Sequence, residues 1–169
     1  MTSLIGVNPA ETLTATQLAT EGKGFGPGDR HTDHNGFEWI FVLAGAAIPQ
    51  NQVVTVLSSA TALNFSSAAV IGTTQAPLCY GVSASASIAS GSYGWIMTRG
   101  RAAVRVIASS TGTLSGQLYA APSAAGAGLV SVTASSNILL KGLYIIATAT
   151  TSTTASAVPV VFRNIETST

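Results

Sequence analysis

His31, Asp33 and His34 lie within four positions of one another in the segment HTDHNG. Imidazole nitrogens and carboxylate oxygens bind zinc-like ions, and the same groups move protons in hydrolysis. The spacing lacks the paired clusters of a structural zinc site, and no second set of ligands follows. A polar turn running into Asn35-Gly36 accounts for all three residues. A second group is cationic: Arg99, Arg101 and Arg105, separated by Gly100 and a short apolar run, with Tyr93 and Trp95 just before them. Such a group suits an interface with another protein, a solvated loop tip, or contact with nucleic acid. The pI is near 7.9. With no wider basic stripe, that is a poor footprint for nucleic acid. Trp95, Arg99, Arg101 and Arg105 are therefore expected to anchor a protein interface. GKGFGPG has the glycines of a phosphate loop but follows no strand and contains Pro27, so it is expected to turn sharply or flex. Cys79 in LCYGV reads as a small buried apolar residue. The patterns GxSxG, HExxH and GxxxxGK followed by Ser or Thr are missing from the sequence. No catalytic residue, cofactor or metal is expected, and the chain is not expected to be an enzyme.

The distribution of charge sharpens this. Between Glu38 and Glu166 there is no acidic residue, yet Arg99, Arg101, Arg105, Lys141 and Arg163 occur there. The other acids, Glu11, Glu21, Asp29, Asp33 and Glu38, occupy the leading segment, opposed only by Lys23 and Arg30. A formal net charge of +1 conceals an acidic arm beside a sparsely charged, basic body. General acid-base and metal chemistry draw on the groups this body lacks. The acids of the arm, Glu11 and Glu21 among them, are expected to meet a cation on a neighbouring subunit.

At 169 residues the chain suffices for one domain with a real core, burying about 70% of its unfolded surface. Only 8% of residues are charged, against about a quarter in ordinary soluble domains. Mean hydropathy is +0.45, but no apolar run approaches the ~20 residues that cross a bilayer as a helix. The start, MTSLIGVNPAETLTATQ, has neither the basic residues nor the apolar core of a Sec signal, so such export is not expected. A lone cysteine fits a reducing compartment. Ala, Ser and Thr make up roughly 40% of the chain. These small side chains permit close approach and lose little rotamer entropy on ordering. A surface so poor in Lys and Glu repels partners weakly. It is expected either to be covered by other protein or to be exported and glycosylated.

Short runs of β-branched and aromatic residues, punctuated by Gly, Pro, Asn and Ser, indicate an all-β protein with a single β-sandwich or β-barrel domain. The expected organisation is an extended N-terminal arm over 1–36, a body over 37–165 and a tail over 166–169. ATQLATEGKG has the makings of a helical turn or two within the arm. FEWIFVLAGAAI, QVVTVLS, TALNFSS, AAVIGTT and LCYGVSASAS read as successive strands. YGWIMTR and RAAVRVIAS read as two strands joined tightly at Gly100. QLYAAP, GLVSVTAS, ILLKGLYIIATAT and AVPVVFRNI follow. In the third of these, Gly142 and the β-branched Ile145, Ile146 and Thr148 argue against helix.

Two blocks in this order carry a family resemblance. HNGFEWIFVLAGAAIPQNQVVTV is similar to a segment of small structural proteins of tailed bacteriophages, in which a turn enters an aromatic strand followed by an Ala/Gly turn and a Val/Thr strand. YGWIMTRGRAAVRV, about fifty residues later, is similar to a second shared block. The resemblance spans roughly residues 34–145. It implies a head decoration (cement) or minor capsid protein: all-β, without catalytic residues, binding the outer surface of a phage head. The implied partners are the major capsid protein and the chain itself, as a homotrimer. Nucleic acid and membrane are not among them. The implied location is the capsid surface of the virion, after synthesis in the host cytoplasm. Two alternatives stay open. One is a tail-tube subunit; the other is a fibre or adhesion module with a glycan-binding face built on Trp39, Tyr93, Trp95 or Tyr119. The stretch TATTSTTASA has no counterpart in the resemblance.

Overall fold

The computed structural model describes residues 8–64, 77–107, 112–114, 117–120, 130–131, 138–145, 149–151 and 156–168. The expected strand AAVIGTT lies outside them, as do parts of TALNFSS, GLVSVTAS and TATTSTTASA. Among the described residues the protein is built from strands and one short helix.

The aromatic run becomes β3 (Glu38–Ala44), and QVVTVLS becomes β4 (Val53–Leu57). β5 (Thr61–Asn64), β6 (Pro77–Val82) and β7 (Tyr93–Ile107) follow. Their pairings close on themselves: β3 with β5, β5 with β4, β4 with β6, β6 with β7, and β7 back to β3. Closure removes the exposed edges that would otherwise template aggregation. Alternate residues point inward. Ile40, Val42, Ala44, Val54, Val56, Ala62 and Ile96 meet Ile48 and Ile88 in one buried cluster, and Cys79 packs against it. Burial pushes the Cys79 thiol above its ordinary range, only partly offset by the charge of Arg30.

The opposite faces of β3 and β7 are buried too, which explains why WIFVL is apolar at every position. Trp39, Phe41, Trp95 and Met97 are all covered. Part of the cover is the leading segment, and here the structure departs from the extended arm expected over 1–36. β1 (Thr12–Leu13) pairs with Tyr93 and Gly94, which buries Leu13. Helix α1 (Ala15–Glu21) starts at Thr14, whose hydroxyl accepts from Gln17 N while the Gln17 side chain accepts from Thr14 N. That reciprocal cap satisfies two donors that a helix start leaves open. GKGFGPG then turns so that Phe25 packs edge-on against Phe41 (ring centroids 4.8 Å apart) and Trp95 (5.3 Å). β2 (Arg30–Thr32) finally pairs with β3. Residues 12–32 are thus held on their own body by two strand pairings and an aromatic plug.

A second departure concerns Gly100. The expected hairpin there is not formed, and β7 runs through as one 15-residue strand. Its partner β13 (Ser156–Ser168) pairs without interruption from Arg99 to Val106, so one strand bridges the glycine on one side. On the other side the register with β3 shifts between Glu38 and Trp39. The extra residue is Thr98, and such a bulge bends its strand; Gly100, two residues on, holds φ +145°, a conformation that a side chain resists. β13 extends through Ser168, so residues 166–168 are strand where a tail was expected.

The second half of β7 enters a further circuit. β13 pairs with β11 (Ile138–Ile145), β11 with β9 (Gln117–Ala120), β9 with β10 (Val130–Ser131), and β10 returns to β7 at Val106 and Ile107. ILLKGLYI is strand, as its β-branched residues indicated, and its register shifts across Gly142. β8 (Gly112–Leu114) and β12 (Ala149–Thr151) form a separate two-stranded sheet.

A candidate docking pocket beside β7

The turn between β2 and β3 is organised by Asp33. Its Oδ1 accepts from Asn35 N (2.8 Å) and Phe37 N (3.1 Å), and its Oδ2 accepts from Trp39 Nε1 (3.2 Å). These bonds use the carboxylate that a metal reading of His31, Asp33 and His34 would need. Burial opposes the charge on Asp33, but hydrogen bonds from Phe37, Trp39 and Asn35 and the nearby His34 outweigh it, holding the carboxyl below its ordinary value. A depressed folded-state pKa stabilises the turn above the unfolded value of about 3.8, and that contribution disappears as pH falls through the folded value. In a titration from pH 6 to 2, the Trp39 indole N–H resonance is expected to move only below the ordinary carboxylate range. In Asp33→Asn this step is expected to vanish.

This turn forms one wall of an open pocket of about 190 Å³, lined by Asn35, Gly36, Phe37, Arg99, Gly100, Arg101 and Val161. The bend in β7 forms the other wall. Arg99 Nη1 donates to Glu38 Oε1 at 3.0 Å. The Arg99 side chain remains about half exposed (48%), so the pair contributes at most ~1 kcal/mol to stability. Arg101, two residues on, is exposed and makes no hydrogen bond or ion pair to another described residue. Arg105 is half-buried, and its backbone N–H donates to Asn51 O at 2.7 Å. Arg163 occupies the register position opposite Arg99.

The residues singled out in the sequence fall into three groups. Arg99 and Arg101 share the pocket, and Arg105 lies further along the same strand. Trp95 does not join them. It is 3% exposed and packed among Phe25 and Phe41, so it is a core residue and not a surface anchor. The cause is the folded-back leading segment, whose Phe25 covers the strand face that a bare period-two reading leaves open. Trp39 is equally buried, while Tyr93 stacks on Phe41 with ring centroids 5.9 Å apart. A sugar platform on either tryptophan has no exposed ring face. The side chain of Tyr119 lies outside the described residues.

Glu11 and Glu21 form the third group. Both are bound by Lys23 of their own segment, Glu21 at 3.0 Å. Sequence reasoning passed over Phe37 and Val161. Phe37 follows the Asn35-Gly36 turn, and an aromatic ring entering a strand after such a turn was the available signal. Val161 is reached only through the pairing of β13 with β7, where it faces Arg101. The chain matches no family model and no curated protein sequence.

Proposed function

We propose that this chain is a structural virion protein, a capsid decoration or cement subunit that binds the outer surface of a phage head and reinforces contacts between capsomers. The observation that carries this reading is the asymmetry of its ionic groups. The acids of the leading segment are engaged within the chain, while exposed arginines of β7 border an open pocket. Arginine next to an aromatic residue is the side-chain composition of protein interfaces. A closed barrel is a rigid mount for such a face, and weak contacts repeated by symmetry sum to firm attachment. The resemblance of the HNGFEWIFVLAGAAIPQNQVVTV and YGWIMTRGRAAVRV blocks to phage head proteins supplies the class of partner. A homotrimer is the assembly it favours.

Cosedimentation with shells of the co-encoded major capsid protein tests the reading. The intact chain is expected to saturate the shells at a fixed stoichiometry. The double variant Arg99→Ala, Arg101→Ala is expected to bind at least about tenfold more weakly, as interface arginines commonly do. Absence of binding by the intact protein would remove the capsid assignment.

A further inference from the structure

The pocket at the bend of β7 holds more positive charge than the described residues neutralise. Glu38 engages one edge of Arg99, and Arg101 has no described partner. The other acids of the leading segment are committed elsewhere: Glu11 and Glu21 to Lys23, Asp29 to Gly26 N at 2.7 Å, and Asp33 to its turn. Among the described residues, each of these acids already has a partner within its own chain, in this copy and, by identity of fold, in a second.

The chemistry of the walls narrows the choice of ligand. Guanidinium groups form short paired bonds to planar oxyanions, and Phe37 offers an apolar surface for a methylene stem. Phe37 packs directly on the backbone of Gly100, where a Cβ would lie 2.9 Å from both the Phe37 ring and the Met97 sulfur. At about 190 Å³ the space is smaller than the ~300–1,000 Å³ of small-molecule sites. It suits one inserted side chain. A nucleic-acid strand would need cations tracking its backbone, and the pocket lining supplies two, Arg99 and Arg101.

We propose that this pocket receives an acidic peptide segment of a different protein, with one carboxylate held by Arg101 and the outer edge of Arg99 and its stem against Phe37. This rests on the docking-face reading above and gives that face its ligand chemistry.

The test is an NMR titration of the full ¹⁵N-labelled chain with three probes: acetylated tetraglutamate, acetylated tetraglutamine and an oligothymidylate. Tetraglutamate is expected to shift the Arg99 and Arg101 Nε–H signals and the Phe37 amide to saturation, and tetraglutamine to leave them in place. Arg101→Gln, an exposed substitution, is expected to weaken tetraglutamate binding by about tenfold or more, the usual consequence of losing a charge-assisted bond. The proposal is overturned if tetraglutamine shifts the same signals equally, if the oligothymidylate binds there more tightly, or if Arg101→Gln changes nothing. Shell binding that survives both Arg101→Gln and excess tetraglutamate removes the carboxylate site but keeps the capsid reading. Failure of shell binding alongside a successful titration does the reverse.

Discussion

Phe41→Ala is expected to cost about 3–5 kcal/mol of folding stability, the usual penalty for emptying an aromatic site in a packed core. Phe41 is fully buried, and its ring touches three others: Phe25 at 4.8 Å, Trp95 at 5.0 Å and Tyr93 at 5.9 Å. The truncation therefore leaves a cavity and also frees Phe25, the plug that fastens the leading segment. For a chain of this length such a loss lowers the thermal midpoint by about 10 °C or more. Calorimetry on Phe41→Ala checks it, with the exposed Leu78→Ala as a control expected to fall within about 0.5 kcal/mol of the parent. A shift no larger than the control's would show that the aromatic cluster does not hold the segment down. Deletion of residues 1–30 is a poorer probe, because it removes Leu13 and Phe25 and so reports on folding before docking.

Gly81→Ala is the second large expectation. A Cβ at this position would come within 2.5 Å of Ile96 Cγ2 and 2.7 Å of the Met97 carbonyl oxygen. A side-chain methyl can rotate aside; a strand carbonyl can move only by shifting its strand. The place is sensitive because β6 and β7 pair at a single described position, Val82 with Met97, and that pairing closes the barrel. Overpacking commonly costs 1–3 kcal/mol, and we expect the upper part of that range here. Denaturant unfolding measures the loss. Hydrogen exchange localises it, with faster exchange expected in β6 and the first half of β7 ahead of β9 or β11. A stability change below about 0.5 kcal/mol would mean that the strands separate freely at this point.

Much of the architecture was legible because local preference and burial agreed. WIFVL and VVTVL are β-branched or aromatic at all but their last position, so both strand character and cover on two faces could be read directly. ILLKGLYI was resolved as strand by the same residues. What could not be read was what covers the second face. Leu13 and Phe25 are isolated apolar residues in a polar, glycine-rich stretch. Their partners lie dozens of residues away, and periodicity carries no information about such contacts. That gap misplaced Trp95 on the surface and left Glu11 and Glu21 without Lys23. Gly100 failed for a different reason. A glycine between two strand-like runs fits a reversal or a continuous strand equally well, and only the uninterrupted pairing of β13 selects the continuous strand. The arginines were found by their chemistry, but the pocket required the fold, since Phe37 and Val161 reach Arg101 from two other elements.

One backbone, β7, serves both hydrogen-bonded circuits, its first half closing one and its second half the other. A crossbeam common to two frames transmits load between them. Any tug that strips β13 from its outer half is felt at Gly100 and carried onto the pairing with β3. Gly100 lies on that beam between Arg99 and Arg101. A grip on those arginines thus pulls on the one strand that both frames share.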